Sequence, residues 1–321
     1  MADICYTERS PPRLWGKQSA DWPIIPPDAV RVAAETEIHS EADIMRKSFA
    51  ANRAPVLTAV IRESTPREAI AEIKNYALHG AQGVDLHLSC LDAQYRNPES
   101  IAEIVNQSRL PILGLNYNQN PDWSVTETSE EERVALLMMA IDAGAAGIDM
   151  QGYTFDRPSH DRFREEFSHL DYSFIKNKPR EVVVDPKVID RQCDLIERVH
   201  AKGGEVLLSN HLLVPMKTDQ LVELCLFLEQ RNPDMIKIVT QSETDEDMLE
   251  SFRSMLTIKK EIKTPVTLFC NGATGALTRI INPMLGGYMV FTSDGFNARS
   301  NFTQMDLQTM KQVLDGVDKL R

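Results

Sequence analysis

Short apolar runs alternate with amphipathic segments along most of this chain. The first run, APVLTAVI, predicts a buried strand. The next segment has apolar residues at helical spacing, with Thr65 as N-cap, Pro66 at the first helical position and Gly80 past the end. Seven similar units follow. The predicted strands are 54–61, 83–91, 110–117, 147–152, 205–211, 235–239, 265–270 and 286–292.

This alternation predicts an α/β fold, because strands separated by helices run parallel. Eight repeats over roughly 250 residues match a (β/α)8 TIM barrel, which we assign to residues 54–321. A doubly wound open sheet is the alternative, but it would usually carry a glycine-rich phosphate loop after its first strand, and IRESTPRE has no glycine. Residues 1–53 lack this rhythm and are rich in proline, so we predict an N-terminal extension that packs on a partner subunit or on the bottom of the barrel.

The composition narrows the range of binding partners. The 47 acidic residues outnumber the 35 basic ones, which gives a formal net charge of −12 and argues against binding to nucleic acid or to an anionic membrane surface. No uncharged apolar run approaches the length of a membrane span, and MADICYTERSPPRLWGK lacks the apolar core of a signal peptide. The five cysteines are scattered without a CxxC pair, so we expect free thiols in a cytoplasmic protein.

One apolar run contains a lysine, Lys237, between Ile236 and Ile238. Lysine is rarely buried unless it is paired or functional. The structural explanation is a strand-end lysine whose stem packs while its ammonium reaches water. In a barrel, however, the alternation of the strand directs Lys237 inward and the isoleucines toward the helices. A buried neutral amine is a nucleophile for carbonyls and forms a Schiff base.

His211 ends the strand that precedes the lysine strand. A lone histidine more often has a structural role, but Schiff-base chemistry needs a group that moves protons, and imidazole titrates in the right range. No HxH, HxxE or ExxH spacing accompanies it, which disfavours a metal site. We therefore predict Lys237 and His211 as a catalytic pair that needs no metal.

Further polar residues follow the strand ends, where (β/α)8 barrels bind their substrates. Arg279, in the helix after the seventh strand, suits an anionic group through its bidentate geometry, and it equally fits an ordinary helix surface. The strand-end candidates are Asp85, His87, Asn116, Asn118 and Asn271, with Tyr117, Asp149 and Gln151 beside them.

From about Ala54 to Phe302 the chain resembles the type I 3-dehydroquinate dehydratase family. VLLSNH resembles the family's strand with the catalytic histidine, DMIKIVTQSETDEDMLESF its Schiff-base strand, and NGATGALTRIINPMLGG its substrate-carboxylate turn. The resemblance implies that Lys237 forms the Schiff base, His211 is the general acid and base, and Arg279 anchors the carboxylate. It also implies a cofactor-free homodimer that acts on a small anionic hydroaromatic substrate.

Several positions depart from the family pattern. The second strand reads DLHLS where the family has Glu-x-Arg-x-Asp, and GLNYNQNPDW lacks the family's arginine and the glutamate that orients the histidine, with Asp122 as the candidate stand-in. The Ser-Ala-x-x-Gln lid segment is replaced by GFNARSNFTQ, where Arg299 and Ser300 are the candidate substrate-binding residues. These changes put the substrate in question more than the chemistry.

Three hypotheses follow from these residues. The first is a Schiff-base dehydratase for 3-dehydroquinate or a closely related cyclic hydroxyketone. The second is a class I aldolase, because carbon–carbon cleavage could use the same lysine. The third is a non-catalytic, dehydratase-like metabolite sensor, which the missing arginine and glutamate would fit.

Overall fold

The computed structural model describes residues 46–117, 128–293 and 304–320. Within these ranges eight parallel strands alternate with nine α-helices. The strands are β1 (Val56–Ile61), β2 (Gly83–His87), β3 (Ile112–Leu115), β4 (Gly147–Gln151), β5 (Glu205–His211), β6 (Met235–Gln241), β7 (Val266–Asn271) and β8 (Met289–Thr292). The helices are α1 (Pro66–Leu78), α2 (Pro98–Gln107), α3 (Glu130–Asp142), α4 (Arg157–Asp161), α5 (Pro186–Ala201), α6 (Thr218–Glu229), α7 (Asp245–Glu261), α8 (Ala276–Leu285) and α9 (Leu307–Asp318).

The strands form a nearly closed barrel. They pair in the order β7-β6-β5-β4-β3-β2-β1-β8, so that β1 lies between β2 and β8. The seam between β7 and β8 is bridged by hydrogen bonds from Tyr288 N to Val266 O (2.9 Å) and from Met289 N to Thr267 Oγ1 (2.9 Å). The predicted (β/α)8 barrel is confirmed, and the open sheet is excluded because its first and last strands would not be neighbours.

Side chains of alternating parity face opposite sides of the barrel wall. On β6, Met235 and Val239 belong to an apolar cluster inside the barrel, whereas Ile236 and Ile238 belong to the core between strands and helices. Lys237 shares the parity of the inward-facing residues. The barrel interior is therefore apolar near the amino ends of the strands and polar near their carboxyl ends.

The helix boundaries follow the local signals in the sequence. Thr65 caps α1 by accepting a hydrogen bond from Glu68 N (3.2 Å), and Pro66 occupies the first turn, as predicted. Gly80 follows that helix with φ +97°, a conformation that favours glycine. Ser129 and Glu132 form a capping box at the start of α3. None of the helices in the described residues is both long and apolar enough to cross a membrane.

Residues 46–53, the described part of the predicted extension, pack against the amino end of the barrel. Phe49 is fully buried in the interior cluster, and its backbone N–H donates to Glu205 Oε2 (2.7 Å) at the start of β5. Gly83 accommodates this ring, since a Cβ there would lie 2.3 Å from Phe49 Cε1. Arg46 donates to Ile141 O at 3.1 Å. The boundary at residue 53 stays a prediction.

The irregular segment between β4 and α5 is a compact insertion that contains α4 and two short 3-10 helices, Glu165–Phe167 and Ser173–Asn177. It packs on α6 through aromatic rings: the Phe174 centroid lies 5.1 Å from that of Tyr172 and 5.5 Å from that of Phe227. This segment therefore lies at the carboxyl end of β4, beside the place where a (β/α)8 barrel binds its substrates.

Candidate active site

Lys237 is buried inside the barrel, with 5% of its surface exposed. Its Nζ lies 2.8 Å from Asp149 Oδ2 and 4.5 Å from the centroid of the Phe291 ring. The carboxylate and the ring face both stabilise a cation at this position. Lys237 is therefore held as one half of a buried ion pair, a partnership that the strand pattern alone did not indicate.

Asp149 is itself held by several neighbours. Its Oδ1 accepts hydrogen bonds from Ser209 Oγ and from Gln151 Nε2, the latter at 3.3 Å. Gln151 in turn accepts from the fully buried Arg133 (2.5 Å), which reaches inward from the first turn of α3. This network fixes the carboxylate that faces Lys237, because each oxygen of Asp149 has a defined partner.

His211 lies at the end of β5, next to β6, where it pairs with Val239. Its Nδ1 is 2.9 Å from Glu181 Oε2, and its Nε2 is 3.1 Å from the hydroxyl of Tyr117. A carboxylate can only accept, so Nδ1 carries the proton and Nε2 faces the barrel mouth as the acceptor. Burial raises the pKa of Tyr117 well above its usual value, with Asp149 and Glu181 adding to the effect, so the phenol stays protonated and donates to Nε2.

Arg279 is largely buried near the end of β7. It donates to Asn271 Oδ1 (2.6 Å) and stacks on Phe269 with Cζ 4.1 Å from the ring centroid. Its buried Nε has no hydrogen-bond partner in the described structure. Burial lowers the pKa of Arg279 to about 10, which leaves it cationic at neutral pH. A cation without a carboxylate partner among the described residues is suited to an anionic ligand.

Asp85 and His87 lie inside the barrel on β2, and both are buried. Burial raises the pKa of Asp85 to about 7, with the charge of Asp149 adding to the rise and Lys237 and Arg62 opposing it. The Oδ1 of Asp85 has no hydrogen-bond partner in the described structure. Burial lowers the pKa of His87 well below its usual value, so this ring is neutral at neutral pH.

The other predicted site residues have different positions. Asn116 faces α3, where its Nδ2 donates to Arg133 O (3.1 Å), so its side chain does not line the barrel interior. Strand parity explains this, because Tyr117 is the inward-facing neighbour. Asn118, Arg299, Ser300 and Asp122 lie outside the described residues.

Sequence reasoning missed one partner of the predicted catalytic pair. Glu181 holds His211, yet it lies in a segment without periodicity, where no pattern pointed to it. Asp149 was visible as a polar strand end, and its inward parity was the available signal. No three His, Cys, Asp or Glu residues in the described ranges are arranged as a metal-binding group. Together the described residues can form an imine at Lys237, move a proton through His211 and bind an anion at Arg279.

Comparison with known proteins identifies one family over most of the chain. The type I 3-dehydroquinase family model matches residues 57–321. A 125-residue region is 33% identical to the 3-dehydroquinate dehydratase of Coxiella burnetii, covering 38% of this chain and 52% of the relative. The chain thus spans about half the length of these curated relatives. The Desulfotalea psychrophila 3-dehydroquinate dehydratase is 23% identical over 218 residues, which cover 67% of this chain and 77% of that protein.

Solved structures show the same barrel at low sequence identity. The type I 3-dehydroquinate dehydratase of Clostridium difficile superimposes with a TM-score of 0.66 at 14% identity, covering 84% of this chain and 95% of that one. The Geobacillus kaustophilus enzyme gives a TM-score of 0.63 at 14% identity, covering 83% and 91% of the two chains. At this level of identity the likeness concerns the fold.

Proposed function

Because this chain belongs to the type I 3-dehydroquinase family, we propose that it is a Schiff-base-forming dehydratase. It removes water from 3-dehydroquinate, or from a closely related cyclic hydroxyketone, to give 3-dehydroshikimate or its analogue. One observation carries the proposal: the buried Lys237 faces the barrel interior next to the strand that ends in His211. The relatives' names and the Arg279 cation, which has no carboxylate partner among the described residues, support a small anionic substrate.

The first stage of the reaction is carried by Lys237. Its ammonium passes a proton to Asp149, 2.8 Å away, and the free amine attacks the ring ketone, giving a carbinolamine once the proton on nitrogen has moved to the oxygen. Asp149 then returns its proton to the carbinolamine hydroxyl, which leaves as water, and an iminium remains at the same position. The cation remains between the Asp149 carboxylate and the face of Phe291, both of which stabilise positive charge.

The second stage is carried by His211. When the substrate takes the place of the Tyr117 hydroxyl at the unprotonated Nε2, that nitrogen removes a proton from the carbon next to the iminium, which the electron-withdrawing C=N bond has acidified. The resulting imidazolium gives that proton to the departing β-hydroxyl group, which leaves as water. Hydrolysis of the iminium then releases the unsaturated ketone and regenerates Lys237. Arg279 holds the substrate carboxylate throughout.

Borohydride trapping tests the proposal. Incubation with 3-dehydroquinate and borohydride should add the mass of the reduced substrate to Lys237, and the untreated enzyme should release a conjugated enone. Lys237→Ala should lose both signals, whereas Lys178→Ala, which removes a lysine that is 62% exposed, should keep both. The panel should also contain other hydroaromatic ketones and phosphorylated keto-sugars.

Each alternative has its own outcome. Adducts and cleavage only with keto-sugars would identify an aldolase. Binding of 3-dehydroquinate that survives Lys237→Ala, with no turnover in either protein, would identify a sensor. The absence of an adduct with every ketone would overturn the Schiff-base mechanism.

From the family resemblance we also infer that the chain acts as a homodimer in the cytoplasm without a cofactor. Sedimentation equilibrium of the purified full-length chain tests the homodimer, since a monomer at micromolar concentration would contradict it. Turnover after exhaustive treatment with chelators tests the independence from metals.

A further inference from the structure

Glu181, near the end of the irregular insertion, places both of its carboxylate oxygens against histidines. Oε2 accepts two hydrogen bonds from His211, one from the backbone N–H (2.8 Å) and one from Nδ1 (2.9 Å). Oε1 lies 3.8 Å from Nε2 of His160, on α4. No lysine or arginine in the described ranges forms an ion pair with this carboxylate, so its charge acts on the two imidazoles.

The backbone of Glu181 has an unusual conformation and is held by neighbouring backbone groups. Its φ of +56° lies in the left-handed region, which non-glycine residues rarely adopt, and its N–H donates to Ser159 O (2.7 Å). Its carbonyl approaches Gly152 so closely that a Cβ on Gly152 would lie 2.3 Å from it. The neighbouring Arg180 N–H donates to Leu212 O (3.1 Å), just past β5. The carboxylate is thus fixed between the ends of β4 and β5.

His160 contacts the other oxygen of the same carboxylate. Its side chain is 23% exposed, its ring packs edge-on against Tyr153 with 4.5 Å between centroids, and its Nδ1 is 3.2 Å from Asp161 Oδ1. Glu181, which is 6% exposed, therefore lies between two partly exposed imidazoles, His211 and His160. An imidazolium at His160 would reduce the hold of Glu181 on a protonated His211, because both cations share one carboxylate.

We propose that Glu181 is the positioning residue of His211 and that His160 is coupled to the same imidazole through the Glu181 carboxylate. The proposal rests on the function proposed above. The glutamate that orients the histidine in the resembled family follows the third strand, whereas Glu181 comes from the segment after the fourth. In this chain, the insertion between β4 and α5 is therefore part of the acid–base machinery.

The positioning role consists in fixing one tautomer. With Glu181 ionised, Nδ1 keeps its proton and Nε2 presents its lone pair to the substrate. A glutamine at this position keeps an oxygen that can accept from both the backbone N–H and Nδ1 of His211, so the ring retains its tautomer. The variant instead loses the negative charge that stabilises the imidazolium formed when His211 takes up the substrate proton.

Glu181→Gln tests this role. We expect kcat to fall by about 10²-fold, the range of general acid–base catalysis, with KM within threefold of the native value. Nitrogen NMR of the substrate-free protein should show the proton on Nδ1 of His211 in the native chain and in Glu181→Gln, whereas Glu181→Asn, whose side chain is too short to reach Nδ1, should lose this preference. Glu165→Gln, which changes an exposed glutamate of the insertion, should alter neither property.

The outcomes separate the two proposals. Native turnover in Glu181→Gln and an unchanged His211 tautomer in Glu181→Asn would overturn the positioning role, while borohydride trapping at Lys237 would still support the dehydratase. Loss of trapping in the native chain would instead overturn the function and leave the NMR result standing. If Glu181→Gln folds poorly, the tautomer in Glu181→Asn decides, because asparagine tolerates the left-handed conformation.

His160→Gln tests the coupling. The titratable groups around His211 and Glu181 are Tyr117, His160 and Asp161, with Asp149 and Lys237 deeper in the barrel. Without a second cation at the carboxylate, His211 should retain its proton to higher pH, so the acid limb of the kcat/KM profile should move to higher pH while the maximal rate changes less than twofold. A profile identical to that of the native chain would refute the coupling.

Discussion

At the scale of single residues, the buried lysine is explained by its partner. Two charges removed from water lose several kcal/mol of hydration each, and only a well-placed counter-ion compensates for this loss. Asp149 provides the counter-ion at 2.8 Å, and Ser209 and Gln151 orient it. The pair therefore keeps a charged lysine inside the barrel. Replacing either residue alone should lower the free energy of unfolding, because the other charge would remain buried without a partner.

A double-mutant cycle measures this coupling. Asp149→Asn leaves the Lys237 ammonium buried without its counter-ion, so we expect the free energy of unfolding to fall by about 3–5 kcal/mol. Adding Lys237→Met should restore part of the loss, because the unpaired charge is removed. Urea denaturation of the single and double variants gives the coupling energy.

The exposed pair Lys311 and Asp315 on α9, with Nζ and Oδ2 2.6 Å apart, is the matched control. Surface pairs of this kind contribute about 1 kcal/mol or less. A coupling at Asp149 and Lys237 no larger than this control would contradict the account of a dehydrated ion pair.

At the scale of elements, Gly152 determines where the insertion leaves the barrel. It follows β4 directly, and a Cβ there would lie 2.0 Å from Asn210 Oδ1 and 2.3 Å from Glu181 O. Gly152→Ala should therefore displace the segment that carries Glu181, lowering both kcat and the free energy of unfolding, by about 1–3 kcal/mol for an overpacked site. Turnover and urea denaturation measure the two effects.

Gly316→Ala is the control, because it makes the same substitution at a glycine with open space around it. Gly316 lies within α9 and its added Cβ would meet nothing within 4 Å. Since alanine is the better helix former, this variant should be more stable by about 0.5–1 kcal/mol, with native turnover. Equal effects of the two substitutions would show that the close approach at Gly152 is not what positions Glu181.

The elements also show where sequence reasoning succeeds. Lys237 lies within β6 and His211 at the end of β5, so strand parity and the barrel rule direct both side chains into the interior toward the carboxyl ends of the strands. A polar residue at a strand end does not always face the barrel interior. Tyr117 faces inward, whereas its neighbour Asn116 faces α3. Glu181 could not be predicted, because its contact depends on a left-handed residue in an irregular segment and on a glycine 29 positions earlier.

At the scale of the whole molecule, the barrel interior contains buried charged groups of both signs, which the net charge of the chain does not indicate. The chain carries a net charge of −12, yet the described part of the barrel buries the cations Lys237 and Arg279 as well as the carboxylates Asp85 and Asp149. Asp85 is only 2% exposed and therefore has little hydration. Global stability should therefore depend on the ionisation of this residue.

The sign of the effect follows from the two states of the chain. An unfolded aspartate ionises near a pKa of about 3.9, whereas burial beside Asp149 raises the pKa of Asp85 to about 7. Between these values the folded chain binds more protons than the unfolded one, so this residue lowers the free energy of unfolding as pH rises. His87 acts in the opposite direction as pH falls, because burial lowers its pKa. Comparison of two variants at each pH largely cancels that contribution.

Asp85→Asn should thus be more stable than the native chain at pH 8. The stability difference should shrink as pH falls from 7 to 5, by at most about 1.4 kcal/mol per pH unit. Urea denaturation at each pH measures this stability difference. Asp318→Asn, which changes an exposed residue, is the control, and its stability difference from the native chain should not depend on pH. A difference for Asp85→Asn that stays flat across the window would mean that Asp85 is ionised throughout, with Lys237 and Arg62 outweighing its burial.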